Sequence, residues 1–187
     1  MKNTFAKYSD LELVELLRSS KSNSERAFTV LYERYAAHVR AYCKNMIKST
    51  DVAEDIFQET FIRFYKSLQT DFKVINVPAY LIKIARNLAL NYFRDRKQAL
   101  QIEEVHSLFD SENDYEKKEL LEIVMKALDL LDFKYKEAFV LRKIDGFSLQ
   151  EIADTLEISV EGAKTRVNRA RIKLMEILQP YLKDLSY

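Results

Sequence analysis

The most constraining feature of the sequence is the stretch SLQEIADTLEISVEGAKTRVNRARIKL, which runs from Ser148 to Leu174. Ser148 and Glu151 have the spacing of a capping box, in which each side chain satisfies a free backbone N–H at the start of a helix. Only Glu157-Ile158-Ser159 separates the helix that begins there from the next one. Three residues allow no more than a tight turn, and Ser159 can cap the second helix. The stretch therefore predicts a helix-turn-helix.

The second helix separates an apolar face from a polar one. Its apolar residues step by three and four along the chain: Val160, Ala163, Val167, Ala170, Leu174 and Ile177. On the side away from that face lie side chains that can hydrogen-bond to base edges in a DNA major groove: Lys164, Thr165, Asn168 and Arg171. Beside them are cations placed for phosphates, Arg166, Arg169 and Lys173. A solvated basic helix in an ordinary bundle would share this composition, but the caps and the short turn favour DNA binding.

Turn-forming residues are scarce in this chain. Its 187 residues include two Gly and two Pro, too few for a protein rich in loops or β-turns. Hydrophobic residues make up 48%, which is enough for real cores, and the length allows one large domain or two small ones. We therefore expect an all-α protein. Cys43 is its one cysteine, so no internal disulfide can form, and the helical pattern around it predicts simple core packing.

Helix-start signals recur in the first half of the chain. Capping boxes are expected at Ser9–Glu12 and at Asp51–Glu54. Pro78 fits the first position of a helix that runs to about Lys97, because its missing N–H has no helical partner there. The spacing of apolar residues predicts four helices in this half and four more near the C-terminus.

Helical periodicity fails between Gln98 and Asp114. Residues 103–116 contain six acidic side chains and no Lys or Arg, which marks a linker rather than a packed element. We expect two small helical domains, 1–97 and 115–187, joined by an acidic linker at 98–114. Segregation of charge along a chain also indicates separate surfaces for separate partners.

The helix expected from Ala79 to Lys97 carries five basic residues against Asp95 alone. One of its faces combines an aromatic ring, amides and cations at spacings of three or four: Tyr80, Lys83, Asn87, Asn91 and Arg94. The core-facing stripe opposite is Leu81, Ala85, Leu88 and Tyr92. Cations beside aromatic and amide groups suit single-stranded DNA, whose bases stack and whose backbone is anionic. The polar face of an ordinary helix bundle is the alternative reading.

These motifs together resemble the extracytoplasmic function group of bacterial RNA polymerase sigma factors. AFTVLYERYAAHVRAYCKNMIKSTDVAEDIFQETFIRFYKSL looks like the N-terminal domain of that group, and VPAYLIKIARNLALNYFRDRK looks like its promoter-melting segment. The stretch from Ser148 to Leu174 resembles its C-terminal DNA-binding domain. The likeness extends from about Ser24 to Leu178, with a linker where the family has one.

The chain departs from the family pattern at three positions. Asp132 follows Leu131 where the family usually has Leu-Pro, and we expect Asp132 to cap the next helix instead. Glu157 stands in the helix-turn-helix where Gly is frequent, at a cost that depends on the local backbone angles. Asn91 replaces a frequent Asp after the Ala-Arg-Asn motif, which bears on promoter preference more than on activity.

The resemblance implies a role for each surface. One base of the melted non-template strand would be flipped out of the stack. The minus-ten promoter element would be held by the loop Gln69–Val77 and by six residues of the helix that follows it: Tyr80, Lys83, Arg86, Asn87, Asn91 and Arg94. The minus-thirty-five duplex would be bound by Ser159, Lys164, Thr165, Arg166, Asn168, Arg169, Arg171 and Lys173. Core RNA polymerase would be bound by Asp55, Gln58 and Glu59. The resemblance suggests that the acidic linker threads a basic polymerase channel, and a merely disordered linker is the alternative. The family usually has a restraining anti-sigma factor.

Other classes of function have weaker support in the sequence. His38 and His106 are isolated, so we expect no metal site. The sequence contains no nucleophile or phosphate-loop motif, so we expect no cofactor and no enzymatic activity. No apolar run approaches about 18 residues and the N-terminus lacks an apolar signal region, so we expect a cytoplasmic protein without membrane insertion. A self-sufficient helix-turn-helix repressor or activator and a helical interaction module without a nucleic-acid role remain the alternatives.

Overall fold

The structure, a computed structural model, describes residues 4–69, 75–99 and 116–184. All the regular secondary structure in these residues is helical, which confirms the all-α prediction. The chain divides into two compact units, Met1–Asp95 and Arg96–Tyr187. Within the described residues, none of the helices combines the length and the apolar character that crossing a bilayer requires.

The described residues of unit one form a short 3-10 helix, three complete α-helices and most of a fourth. The 3-10 helix, Thr4–Lys7, precedes α1 (Asp10–Leu17), α2 (Lys21–Met46), α3 (Thr50–Leu68) and α4 (Val77–Ala99). Helix α2 packs against both α1 and α3. The apolar stripes that the sequence places on these helices form the core, where the largest fully buried side chains include Leu13, Leu31, Tyr42, Phe57, Phe64 and Leu81.

Two of the helix starts in this unit were expected to be capping boxes, and one of them is. The Ser9 N–H donates to Glu12 Oε2 at 2.6 Å, and this bond lowers the pKa of the Glu12 carboxyl. The expected box at Asp51–Glu54 is wrong, because Ser49 caps α3 instead, accepting from the Val52 N–H at 3.5 Å. Asp51 already lies inside the helix.

Helix α4 begins one residue earlier than the sequence indicates. The Asn76 Oδ1 accepts from the Ala79 N–H at 3.0 Å, so Asn76 caps the helix and Pro78 is its second residue. That position also lacks a helical partner for its N–H, so proline still costs nothing there. The helix continues to Ala99, two residues into the range expected as linker. The remainder of that range, 100–114, lies outside the described residues.

In the described part of unit two, four further helices surround a second core. They are α5 (Glu116–Asp129), α6 (Phe133–Lys143), α7 (Leu149–Leu156) and α8 (Val160–Asp184). Helix α8 contacts each of the other three. The core they share includes Leu128, Leu141, Ile152, Ala163, Ala170 and Leu174.

Asp132 occupies the N-cap position of α6, but its side chain makes no capping hydrogen bond. Its carboxylate instead accepts from Lys173 Nζ of α8 at 3.3 Å. The expected capping role of the Asp132 side chain is therefore wrong, because a cation of another helix takes its carboxylate.

Candidate nucleic-acid and polymerase interfaces

The helix-turn-helix is built as the sequence predicts. At the start of α7 the Ser148 N–H donates to Glu151 Oε2 at 2.8 Å, and Ser148 Oγ accepts from the Glu151 N–H at 3.1 Å. At the start of α8 the Ser159 Oγ accepts from the Gly162 N–H at 3.0 Å. Both caps are confirmed, and they fix where each helix begins. The direction of α8 is thereby set by local chemistry as well as by packing.

The turn between these helices depends on an unusual backbone at Glu157. Its φ of 55° and ψ of 47° place it in the left-handed region, which L-residues other than glycine adopt at a cost. The reversal lets the N–H groups of Glu157 and Ile158 both reach the carbonyl of Ala153, the second at 3.0 Å. These bonds satisfy the end of α7 and turn the chain into α8 within three residues.

Helix α8 is anchored on one side and exposed on the other. Ala163, Ala170 and Leu174 are buried and Val167 is half-buried. Most of the residues expected to bind the minus-thirty-five element are exposed: Ser159, Lys164, Thr165, Asn168, Arg169, Arg171 and Lys173. Arg166 is half-buried. The placement of Val160 on the apolar face is wrong: it is 40% exposed, because it begins α8 at the edge of the turn.

Two of the cations on α8 already contact α6. Arg169 Nη1 donates to the Tyr135 hydroxyl at 3.2 Å. Lys173 Nζ lies 3.3 Å from the Asp132 carboxylate and 5.1 Å from the centre of the Tyr135 ring. The hydrogen bond from Arg169 is the first cause of a lowered pKa of the Tyr135 hydroxyl. Sequence reasoning did not single out Tyr135, since its relation to α8 is tertiary.

On α4, the row with amides and cations lies at the surface. Asn87, Asn91 and Arg94 are exposed, whereas Tyr80, Lys83 and Arg86 are half-buried. Opposite them Leu81 and Ala85 are fully buried, and Leu88 and Tyr92 are half-buried. The Arg94 Nε lies 3.2 Å from the Asp95 carboxylate, an exposed pair that water screens strongly. This face is therefore open to a ligand while the helix is held by its apolar side.

The loop before α4 is described only in part. Residues 70–74 lie outside the described residues, Ile75 is 87% exposed and Asn76 caps the helix. Val77 is 1% exposed and belongs to the core. Within the expected Gln69–Val77 contact stretch, Val77 is therefore unavailable to DNA.

The residues expected to bind polymerase lie along α3. Asp55 and Gln58 are exposed and Glu59 is half-buried. The Glu59 carboxylate accepts from Arg63 Nε at 2.7 Å, one turn along the same helix. The neighbouring Glu54 is committed to the fold instead, since both its oxygens accept from Arg40 of α2, at 3.0 and 3.1 Å. That pairing is the main cause of the lowered pKa of Glu54.

An aromatic groove between α2 and α3 adjoins this acidic row and was not predicted. Its volume is about 530 Å³. It is lined by Glu25, Phe28, Thr29, Tyr32, Phe57, Gln58, Phe61, Ile62, Tyr65 and Lys66. The Tyr32 and Phe61 rings stand edge to face with centres 4.8 Å apart, and Ile62 is 46% exposed. The apolar residues of α3 thus extend beyond the side of the helix that packs into the core. The width of this apolar stripe in the sequence could have indicated the groove.

A capped helix-turn-helix with a basic outer face, and a second helix with an amide and cation face, define a DNA-binding protein. Comparison with known proteins is more specific. Residues 31–99 match the family model described as Sigma-70 region 2, and residues 121–174 match Sigma-70, region 4. The two matched segments contain the α4 face and the helix-turn-helix respectively.

Individual relatives agree with the family matches. The chain is 28% identical over 182 residues to the ECF RNA polymerase sigma-E factor of Escherichia coli, covering 90% of this chain and 95% of that protein. It is 26% identical over 150 residues to the RNA polymerase sigma factor SigZ of Bacillus subtilis, covering 80% of this chain and 85% of SigZ.

Solved structures give the same result. CnrH, in complex with the cytosolic domain of CnrY, superposes with a TM-score of 0.67 at 28% identity, covering 91% of this chain and 97% of that one. The sigma factor RpoE of Bartonella quintana, in complex with the anti-sigma factor NepR, superposes with a TM-score of 0.66 at 25% identity, covering 79% and 94%. The chain belongs to the sigma-70 family, in its extracytoplasmic function group. It is a transcription initiation factor that binds core RNA polymerase and directs initiation at specific promoters.

Proposed function

We propose that α8 reads the minus-thirty-five element from the major groove. Lys164, Thr165, Asn168 and Arg171 contact base edges, and Ser159, Arg166, Arg169 and Lys173 lie along the phosphates. The observation that carries this assignment is the exposure of this polar set, apart from the half-buried Arg166, on a helix whose start is capped and whose other side is packed into the core. A good bidentate contact to a base discriminates against the wrong base by about 1–3 kcal/mol.

The α4 face binds the melted minus-ten element in this proposal. Unstacking one base costs on the order of a few kcal/mol, which stacking, amide hydrogen bonds and phosphate contacts offset. Tyr80, Lys83, Arg86, Asn87, Asn91 and Arg94 supply those groups. No bond is broken in this step, so the chain needs no catalytic group and acts without being an enzyme.

The acidic row on α3 and the aromatic groove beside it form the polymerase-binding surface. Gln58 belongs to both, so one partner can engage the carboxylates of Asp55 and Glu59 and fill the groove at once. Apolar anchors in a pocket surrounded by polar contacts are the usual source of interface affinity. The complementary surface on polymerase therefore carries cations beside an apolar side chain.

A restraining anti-sigma factor is a further expected partner. The Bartonella RpoE was solved in complex with the anti-sigma factor NepR, and CnrH was solved in complex with the cytosolic domain of CnrY. Both superpose on most of this chain. Because its work is done on polymerase and promoter DNA, the chain acts in the cytoplasm.

Reconstitution with core RNA polymerase tests the proposal. The purified chain is mixed with core enzyme and genomic DNA, and the 5′ ends of the transcripts are sequenced. We expect a set of start sites that core enzyme alone does not use, each preceded by shared minus-ten and minus-thirty-five sequences. If the chain adds no start sites, or if it binds a palindrome unaided and represses, the proposal is wrong.

Substitutions on α3 and α1 test the polymerase surface. Ile62→Glu places a charge in the aromatic groove, and we expect it to weaken binding to core enzyme by more than about tenfold. Leu11→Glu is the matched control, since Leu11 is 51% exposed on α1, against 46% for Ile62. Equal binding by both variants, each shown to be folded, would remove the groove from the interface.

A further inference from the structure

The start of α6 and one flank of α8 form a cluster of cations around a single aromatic ring. Tyr135 is at its centre, 8% exposed and packed among Ala127, Leu128, Leu131, Ala170 and Leu174. Because the ring is part of the core, its position is fixed by the fold. Its hydroxyl accepts from Arg169, and its ring has Lys173 and Lys134 at 5.1 and 5.0 Å from the centre.

The two cations from α8 remain available to a ligand despite these contacts. Arg169 is exposed, and the Lys173 side chain is 47% exposed. They are four residues apart, so they lie one above the other on the same side of the helix. A guanidinium has five N–H donors, and the bond to Tyr135 uses one of them. Unlike a carboxylate, the phenol hydroxyl orients the guanidinium without cancelling its charge.

We propose that Tyr135 is a positioning residue for the minus-thirty-five contacts, holding Arg169 and Lys173 in place on α8 before the DNA backbone arrives. This rests on the proposed phosphate-binding role of those two cations. A free Arg or Lys side chain loses rotamer entropy when a phosphate immobilises it. Where a buried ring has already ordered the side chain, that loss is smaller at the moment of binding, and affinity rises without a new contact to DNA.

Charge at the cluster is consistent with this role. Lys134, Arg169 and Lys173 all contact Tyr135, and the acidic member among these contacts is Asp132, which pairs with Lys173. The site therefore stays cationic while its side chains are held. The same cationic setting lowers the pKa of the Tyr135 hydroxyl. The Asp132 side chain makes no capping bond, and its carboxylate accepts a hydrogen bond from Lys173.

A double-mutant cycle tests the proposal. Holoenzyme is assembled from core polymerase and the full chain carrying Tyr135→Phe, Arg169→Ala or both, and its affinity for a promoter duplex is measured over a range of KCl concentrations. Tyr135→Phe keeps the ring and its packing but removes the acceptor of Arg169. We expect it to weaken binding about three- to tenfold, because the DNA then has to immobilise one more flexible side chain at the interface. The salt dependence should also flatten, by at most about 0.9 in slope for each phosphate that the chain no longer neutralises.

The effect of Tyr135→Phe in the Arg169→Ala variant distinguishes a positioning role of Tyr135 from a purely structural one. In the Arg169→Ala background we expect Tyr135→Phe to cost little further affinity, because the residue through which it acts is gone. Tyr42→Phe, which removes a hydroxyl from the core of unit one, is the matched control and should leave DNA affinity unchanged.

Each contrary outcome has its own meaning. If Tyr135→Phe costs the same in both backgrounds, or nothing in either, while Arg169→Ala still weakens binding, the positioning role is wrong and the phosphate contact stands. If Arg169→Ala changes neither affinity nor salt slope, the proposed phosphate contact is wrong and the positioning role falls with it. Unfolding midpoints of the wild type and of all four variants, the Tyr42→Phe control included, are measured in parallel and show whether any loss reflects unfolding.

Discussion

Glu157 is held in the left-handed backbone region, and glycine there should stabilise the C-terminal unit. An L-residue with a Cβ pays about 1–2 kcal/mol in this conformation. Glycine removes that cost but adds about 0.4–1 kcal/mol of chain entropy that folding must overcome. The balance favours Glu157→Gly by about 0.5–1 kcal/mol. A domain of 60–100 residues gains about 4–8 °C per kcal/mol, so the unfolding midpoint should rise by about 2–8 °C.

Two control variants separate the backbone from the carboxylate. Glu157→Ala removes the charge but keeps the Cβ, so it should show no comparable gain. Gly146→Ala makes the reverse change at a φ of 75°, where an added Cβ would meet no atom within 4 Å. Its cost is therefore conformational, and we expect a loss of about 0.5–1 kcal/mol.

Thermal and urea unfolding of the full chain, followed by circular dichroism, measure these differences. The order of stability should be Glu157→Gly, then wild type, then Gly146→Ala. If Glu157→Gly is no more stable than Glu157→Ala, the carboxylate rather than the backbone governs the turn, and the reasoning from φ is wrong. An equal gain in both variants would lead to the same conclusion.

Three further predictions concern single groups, and a fourth concerns promoter melting. Burial raises the pKa of Asp145 to about 7, so between about pH 4 and pH 7 the folded state binds a proton that the unfolded state has released. This group's contribution to stability should therefore fall as the pH rises through that range. In urea unfolding, the stability of Asp145→Asn relative to wild type should be greatest above pH 7. Burial likewise raises the pKa of the Cys43 thiol to about 12, and the residue is 1% exposed, so it should resist thiol reagents until denaturant is added. Rapid labelling of the native chain would contradict its place in the core. Asn168→Ala should lose about 1–3 kcal/mol of discrimination at particular minus-thirty-five base pairs in competition binding, and equal losses at every base pair would exclude direct readout. Asn87→Ala should reduce promoter melting, monitored by permanganate reactivity, with polymerase binding intact; a loss of polymerase binding would instead place Asn87 at the other interface.

Local chemistry made much of the fold predictable. The caps at Ser9, Ser148 and Ser159 follow from a side chain reaching a backbone N–H within three residues, a relation that sequence spacing contains. The same logic failed at Asp51, because Ser49 lies two residues earlier and competes for the same helix start. Sequence spacing identifies the residues that could cap a helix. The backbone conformation leading into the helix determines which of them does.

Tertiary relations were beyond the reach of spacing. Asp132 looked like a cap for α6, yet Lys173, 41 residues away, takes its carboxylate. Tyr135 looked like one more core aromatic, and the groove on α3 needs α2 beside it to exist. In each case the deciding partner lies on another helix, at a distance along the chain that periodicity does not encode.

The charge balance of the chain bears on why it works with a partner. Lys and Arg number 30 against 29 Asp and Glu, a formal net charge of +1, so the chain as a whole attracts DNA weakly. A protein that binds DNA unaided draws much of its affinity from phosphates, and that share weakens as the number of available cations falls. Here the cations that face DNA in our proposal are confined to α4 and α8, while α3 presents carboxylates beside an aromatic groove, a surface that phosphates would avoid. If polymerase occupies that groove and makes its own contacts with the DNA, the few cations of α4 and α8 only have to select the promoter. Specificity then resides in this chain and most of the affinity in its partner.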